Sequence, residues 1–169
     1  MDKNDDDNVV TLQYKTSSHL QTRISLHDRF SEKPYPWHRW VFEQFELPTT
    51  CTILEIGAGS GELWSQNYDR IPVDWRLVLS DQSPLMVEQI RNNLQKLRNS
   101  VTFQTANVLA LPFADKSFDV VIANHMLYHV KPLSIALAEI VRILRPGGVF
   151  YAATNGVNHM SQLTKLVSQ

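Results

Sequence analysis

The sequence predicts an α/β protein built on a doubly wound, mostly parallel sheet. Short apolar runs of strand type recur between residues 52 and 154, and the stretches between them carry apolar residues at helical spacing. The first run, Thr52-Ile53-Leu54-Glu55-Ile56, feeds directly into Gly57-Ala58-Gly59-Ser60-Gly61-Glu62, with three glycines at alternate positions. The second run ends on a carboxylate, Asp81, at strand-end distance from that loop. A strand, a glycine turn and a helix start together form the usual nucleotide-binding corner at the carboxyl end of a parallel sheet.

Each element has its own signal. Residues 17–30 read as helix, with Leu20, Ile24 and His27 on one face. Pro34 and Pro36 break that pattern. A second helix over about 37–46 carries Trp37, Trp40, Val41 and Phe45, with Trp37 and Trp40 expected as core anchors, and Pro48 stops it. Strand one is 52–57, followed by a short helix from Gly61 to about Tyr68. Strand two is 75–80. Ser83 then reads as an N-cap and Pro84 as the first helical residue. That helix runs to about 98, with Met86, Ile90, Leu94 and Leu97 on one face. Strand three is 101–105, and strand four runs from Phe118 to Ala123. Pro132 opens a helix whose expected core stripe is Leu133, Leu137, Ile140, Val141 and Leu144. Pro146-Gly147-Gly148 is a turn into strand five, 149–154, and a last helix starts near Asn158. Repeated strand–helix–strand units imply parallel pairing.

Composition narrows the function classes. The 169 residues are 43% hydrophobic and 20% charged, ordinary for a globular domain with a real core. A net charge of −1 gives no basic field for nucleic acid, and Arg76, Arg91, Lys96 and Arg98 read as solubilising surface. The single cysteine, Cys51, precludes an intramolecular disulfide and fits a reducing, cytoplasmic compartment. No apolar stretch approaches the roughly 20 residues needed to span a bilayer. The acidic start, residues 1–12, reads as a solvated, disordered tail. His125 and His129 lie four apart, but no carboxylate or cysteine completes a metal set, so no metal is expected.

The loop spacing discriminates among nucleotides. A dinucleotide site wants Gly-x-Gly-x-x-Gly, whereas here Glu62 holds the third glycine position. Glu55, two residues before the first glycine, suits a ligand with a cationic centre better than a pyrophosphate. No Gly-Lys-Ser/Thr follows, which removes the phosphate loop of nucleoside triphosphatases.

Glu55-x-Gly57-x-Gly59-x-Gly61 resembles motif I of the class I S-adenosylmethionine-dependent methyltransferases. The resemblance continues through Leu79-Ser80-Asp81-Gln82-Ser83-Pro84, the segment Ala110 to Val121, and Leu144-Arg145-Pro146-Gly147-Gly148, covering about residues 50–160. It is closest to small-molecule enzymes of the ubiquinone and menaquinone type. It implies a Rossmann-like sheet of order 3-2-1-4-5, an amino-terminal helical lid over residues 13–48, and a cofactor domain over 49–169. A carboxy-terminal hairpin, strands six and seven, is expected to be missing. Strand five is then an exposed edge, and dimerisation or low solubility through it is expected.

The same resemblance assigns roles. Gly57, Ala58, Gly59 and Gly61 bring backbone close to the amino-acid part of S-adenosylmethionine, and Glu55 lies near its ammonium side or fixes the loop. Asp81 takes the two ribose hydroxyls, unless it caps the following helix, and Gln82 lies against the adenosine. Asn107 replaces the family's more usual Asp as the adenine contact, with an ordinary turn residue as the alternative. Val108 packs on the adenine face, and Asn124 hydrogen-bonds the cofactor. Tyr14 and Arg23 of the lid are further cofactor contacts, Arg23 through the methionine carboxylate. His125, Tyr128 and His129 are the catalytic candidates after strand four, where a neutral histidine can take a proton from the acceptor. The plain alternative for each histidine is a structural residue. The implied reaction is methyl transfer to a small-molecule acceptor, leaving S-adenosylhomocysteine. The segment Asn124-His125-Met126-Leu127 lacks the Pro-Pro pattern of enzymes that methylate amino groups of DNA or glutamine. The competing readings are a non-catalytic S-adenosylmethionine-binding domain and an NAD(P)-dependent oxidoreductase.

Overall fold

The computed structural model describes residues 35–97 and 100–156. The acidic tail, the helix expected over 17–30, Tyr14, Arg23, Arg98 and the helix expected near Asn158 lie outside the described residues. The elements in chain order are α1 (Trp37–Glu43), β1 (Thr52–Ile56), α2 (Glu62–Ser65), β2 (Arg76–Asp81), α3 (Pro84–Asn93), β3 (Ser100–Thr105), β4 (Phe118–Asn124), a 3-10 turn (Leu127–His129), α4 (Leu133–Ile143) and β5 (Leu144–Ala153). The sheet order is β3-β2-β1-β4-β5, as expected, and every neighbouring pair is parallel.

The central strands read as continuous apolar runs because both sheet faces are covered. Alternation along each strand sends side chains to opposite faces. Ile53, Leu77, Leu79, Val120 and Ile122 pack with Val41 and Phe42 of α1, Leu63 and Trp64 of α2, and Ile90 of α3. Leu54, Ile56 and Val121 face the other way, against Ala136, Ile140 and Ile143 of α4. Each fully buried Val, Leu or Ile among them stabilises the fold by about 1.5–3 kcal/mol.

Three details depart from the sequence-based expectation. In α1 the inward stripe is Val41 and Phe42, flanked by Trp37 and Phe45, while Trp40 is 51% exposed and anchors nothing. At 3.6 residues per turn, Trp37 and Val41 share one side of the helix, and Trp40 falls beyond its edge.

In α4 the buried stripe is Ala136, Ile140 and Ile143, whereas Leu133, Leu137 and Val141 are 44%, 39% and 72% exposed. The helix carries two apolar stripes, and polar clasps choose between them. Glu139 accepts the Leu111 N–H at 2.7 Å. Arg142 donates to the carbonyls of Phe113 (2.8 Å) and Leu111 (3.0 Å), and pairs with Asp115 at 2.8 Å and Glu139 at 2.8 Å. These contacts turn the face bearing Ala136, Ile140 and Ile143 inward.

Strand β5 begins at Leu144, earlier than expected, but its ladder with β4 is interrupted. Phe118 pairs with Leu144 and Val120 with Val149, so Arg145 to Gly148 oppose Asp119 alone. A Cβ on Gly148 would stand 2.9 Å from the Arg145 carbonyl and 3.0 Å from that of Asp119, which is why the excursion needs glycine there. Asp119 anchors it, accepting from Arg145 at 2.6 Å and from the Thr52 N–H at 2.8 Å.

Paired substitutions in α4 test this rotation. Ile140→Ala should lower unfolding stability by about 2–5 kcal/mol, and Val141→Ala should change it by less than about 0.5 kcal/mol. Urea titrations measure both.

Candidate functional site

The carboxyl ends of β1, β2 and β4 converge on the glycine loop. Gly57, Gly59 and Gly61 all have positive φ, at 69°, 56° and 80°. Gly57 also lies against the segment after β4, where an added Cβ would meet the Met126 Cβ and Cγ at 3.0 Å. Gly61 forms the left-handed N-cap of α2 and has no room for a side chain beside Ile90 and Leu94, each 3.3 Å away. An L-residue at either position would be strained as well as crowded. The loop is further tied by Ala58 N–H to the Ser80 carbonyl and Gly61 N–H to the Ala58 carbonyl, both at 2.9 Å.

Asp81 joins the loop to the end of β2. One carboxylate oxygen accepts the Gly59 N–H at 3.1 Å and the other the Ser83 N–H at 2.9 Å. Asp81 therefore closes a turn onto Ser83, the N-cap residue of α3, whose own hydroxyl makes no capping bond. Each oxygen retains a lone pair for a ligand hydroxyl. Burial raises the Asp81 pKa above the usual carboxylate value, opposed by backbone N–H groups of Ser83, Gly59 and Gln82. Gln82 is exposed beside it.

Glu55 lies beneath the loop, 3% exposed. The Trp64 indole donates to one oxygen at 2.6 Å, and the Asn124 amide to the other at 3.4 Å. Burial pushes the Glu55 pKa to about 7; the hydrogen bonds from Trp64 and Asn124 oppose this, and the charge of Asp81 adds to it. Asn124 at the end of β4 thus touches Glu55. The sequence reading missed Trp64. Its only signal was an indole, a donor with no acceptor function, placed one turn after the last loop glycine.

The three catalytic candidates follow β4. His125 holds φ 52° and donates its backbone N–H to the Ala153 carbonyl at 2.8 Å. A non-glycine residue in that region is uncommon and concentrates at functional sites. Its ring lies 4.7 Å from Trp37, a second aromatic that the sequence had suggested only as core. Tyr128 is 43% exposed, and its ring lies 4.4 Å from that of His129 in the 3-10 turn. Asn107 and Val108 sit differently. The Asn107 side-chain oxygen accepts the Leu109 N–H at 2.9 Å, the ordinary turn arrangement. Val108 is buried in the second core cluster. The structure therefore brings Glu55, the glycine loop, Asp81 and Asn124 together. Among the described residues no group of three His, Cys, Asp or Glu could hold a metal ion, and no helix is long and apolar enough to cross a membrane.

The raised Glu55 pKa has a defined sign. Between its ordinary value of 4.5 and about 7 the folded state keeps a proton that the unfolded state releases. Stability from this group therefore falls as pH rises through that window. Glu55→Gln should remove this slope, so its stability relative to the parent should climb from pH 4.5 to 7 and then level off. Thermal unfolding across pH 4.5–8.5 measures it, and a pH-independent difference would contradict the assignment.

Comparison with known proteins follows the same corner. A family described as a methyltransferase domain matches residues 54–152. The ubiquinone/menaquinone biosynthesis C-methyltransferase of Hahella chejuensis is 32% identical over 114 residues, 66% of this chain and 46% of that protein. A demethylmenaquinone methyltransferase of Symbiobacterium thermophilum is 30% identical over 116 residues, 68% of this chain and 46% of its own. The chain spans about half the length of the curated relatives it matches. Among solved structures, a methyltransferase from Haloferax volcanii in complex with the Trm112 activator is 30% identical, with TM-score 0.65, covering 76% of this chain and 58% of that one. An S-adenosyl-L-methionine-dependent methyltransferase fold from Methanococcus maripaludis is 21% identical, with TM-score 0.64, covering 90% and 71%. With the motif I loop, the sheet order and the domain match in agreement, the chain belongs to the class I S-adenosylmethionine-dependent methyltransferase family.

Proposed function

We propose that this chain binds S-adenosylmethionine at the carboxyl ends of β1, β2 and β4 and transfers its methyl group to a small-molecule acceptor. The observation that carries the reading is the Asp81 carboxylate bonded to the Gly59 N–H, which holds a ribose-binding acceptor against the glycine loop. The residues fit the cofactor chemically. Asp81 offers acceptor lone pairs to vicinal hydroxyls, and the exposed Gln82 lies next to it. The loop carries no side chains at positions 57, 59 and 61, and Glu55 places negative charge behind it. When bound, the sulfonium supplies an already activated methyl group, so the protein's main tasks are alignment and exclusion of water.

On the acceptor side, His125, Tyr128 and His129 are the candidates to orient the acceptor and take its proton. The contact of Trp37 with His125 supports a wall there built from α1 and the post-β4 turn. Tyr14 and Arg23 complete the cofactor contacts from the lid in this reading. The names of the Hahella and Symbiobacterium relatives support an acceptor of the quinone-precursor type, methylated at carbon. Self-association is part of the same reading. Among the described residues β5 is an outer strand of the sheet, and Val149 is 40% exposed along it. Sedimentation velocity at rising concentration should show dimer, and a monodisperse monomer at millimolar concentration would exclude the edge as a contact.

Calorimetric titration with S-adenosylmethionine and S-adenosylhomocysteine tests the cofactor. Micromolar binding, near −8 kcal/mol, should appear in the parent and weaken at least tenfold, about 1.4 kcal/mol, in Asp81→Ala. Binding that is unchanged in Asp81→Ala would remove the ribose assignment.

A further inference from the structure

Glu55 precedes the glycine loop and Trp64 follows it, nine residues on. Their side chains meet at 2.6 Å, and both are buried, at 3% and 0% exposure. Strand alternation sends Glu55 to the same sheet face as Ile53, the face that α2 covers. The backbone of α2 starts on the loop itself, with the Trp64 and Ser65 N–H groups bonded to the Gly61 carbonyl at 3.1 and 3.0 Å. The Glu55–Trp64 bond therefore closes a side-chain ring around the base of the loop.

We propose that Trp64 is a positioning residue of the cofactor site, whose indole N–H fixes the Glu55 carboxylate and thereby holds the two ends of the glycine loop at a set separation. The inference rests on the S-adenosylmethionine reading of that loop. Three features support it. An indole has one donor and no acceptor, so it enforces one polarity on the bond. The bond is short, as charge-assisted bonds are, whereas the amide of Asn124 stands off at 3.4 Å. The Glu55 backbone is held separately, its carbonyl accepting the Ser80 hydroxyl at 3.0 Å, so the indole acts on the side chain alone.

Among the described residues, the elements around Glu55 carry Arg76 and Asp81 on β2, Asp119 on β4, Glu62 on α2, and His38, Arg39 and Glu43 on α1. Asp81 ends β2. Glu62 on α2 turns its carboxylate to Ser60 and Gln66, at 3.3 and 3.1 Å. His38 belongs to α1, and His125 follows β4. Of these, Asp81 adds negative charge that opposes ionisation of Glu55, which leaves the indole as the main group favouring the ionised form.

The test uses the full chain, first without cofactor. Its four tryptophans give four indole signals in a proton–nitrogen correlation spectrum. One of them should titrate with a midpoint near 7, and should stop titrating in Glu55→Gln, an assignment that does not require a tryptophan variant to fold. In Trp64→Phe, affinity for S-adenosylhomocysteine at neutral pH should fall roughly tenfold. The pH at which binding is half lost should move upward, because the ionised carboxylate has lost a donor. Leu63→Ala, a core truncation beside it, should lower stability without moving that pH. No indole titrating between pH 4.5 and 9, or a Trp64→Phe binding profile that keeps the parental midpoint, would overturn the proposal. An indole that titrates with Glu55 in a parent chain that binds no S-adenosylhomocysteine would overturn the cofactor reading and, with it, the positioning role.

Discussion

A buried carboxylate in the central strand is the constraint around which this fold is arranged. Glu55 sits among Ile53, Leu54 and Ile56 of β1, and an unpaired charge there would cost several kcal/mol. The fold meets this with an indole from α2 and an amide from the end of β4. Those donors lie on either side of the glycine loop and at its back, so satisfying one side chain also fixes where three elements end. The loop is then shaped by its own backbone, whose N–H groups need acceptors as buried polar groups do. Asp81 and the Ser80 carbonyl supply two of them.

A hierarchy of rigidity results. The loop is tied at its base by Glu55 and Trp64, at its crest by Asp81 to Gly59, and below by Met126 packed against Gly57. The segment after β4, proposed above as the acceptor side, is built differently. It rests on one left-handed residue, His125, and on aromatic contacts with Trp37 and between Tyr128 and His129. In the proposed reading, cofactor recognition belongs to strand ends locked by hydrogen bonds, and acceptor recognition to a turn and a short helix joined by ring packing. Such a division lets one scaffold keep its cofactor while the acceptor pocket varies.

The sheet was legible because its signals are local: apolar runs, a glycine loop and prolines at helix starts act within a few residues. The order β3-β2-β1-β4-β5 came from the family resemblance carried by those motifs. The rotation of α4 was not legible, since Leu133, Leu137 and Val141 form as good a stripe as Ala136, Ile140 and Ile143. Only the clasp of Glu139 and Arg142 on the distant loop after β3 decides between them. Trp64 was hidden for the same reason, because its partner is defined by the loop's fold-back and not by spacing. Asn107 and Val108 show the converse. Their positions match a family pattern, and their side chains also hold an Asx turn and a core contact that spacing alone does not show.

The junction between α1 and α2 carries a mechanical consequence. Asn67 donates to the His38 carbonyl at 3.2 Å and to that of Leu63 at 2.7 Å. Arg39 reaches the Gln66 carbonyl and Asp69, both at 2.9 Å, and Arg70 pairs with Glu43 at 3.0 Å. The segment that follows α2 is therefore bolted to α1. Any force on the chain entering α1 is delivered to α2 as a unit, with Gly61 as the pivot between that unit and the loop. A displacement of α1 would therefore reach the loop at one point, the left-handed N-cap of α2.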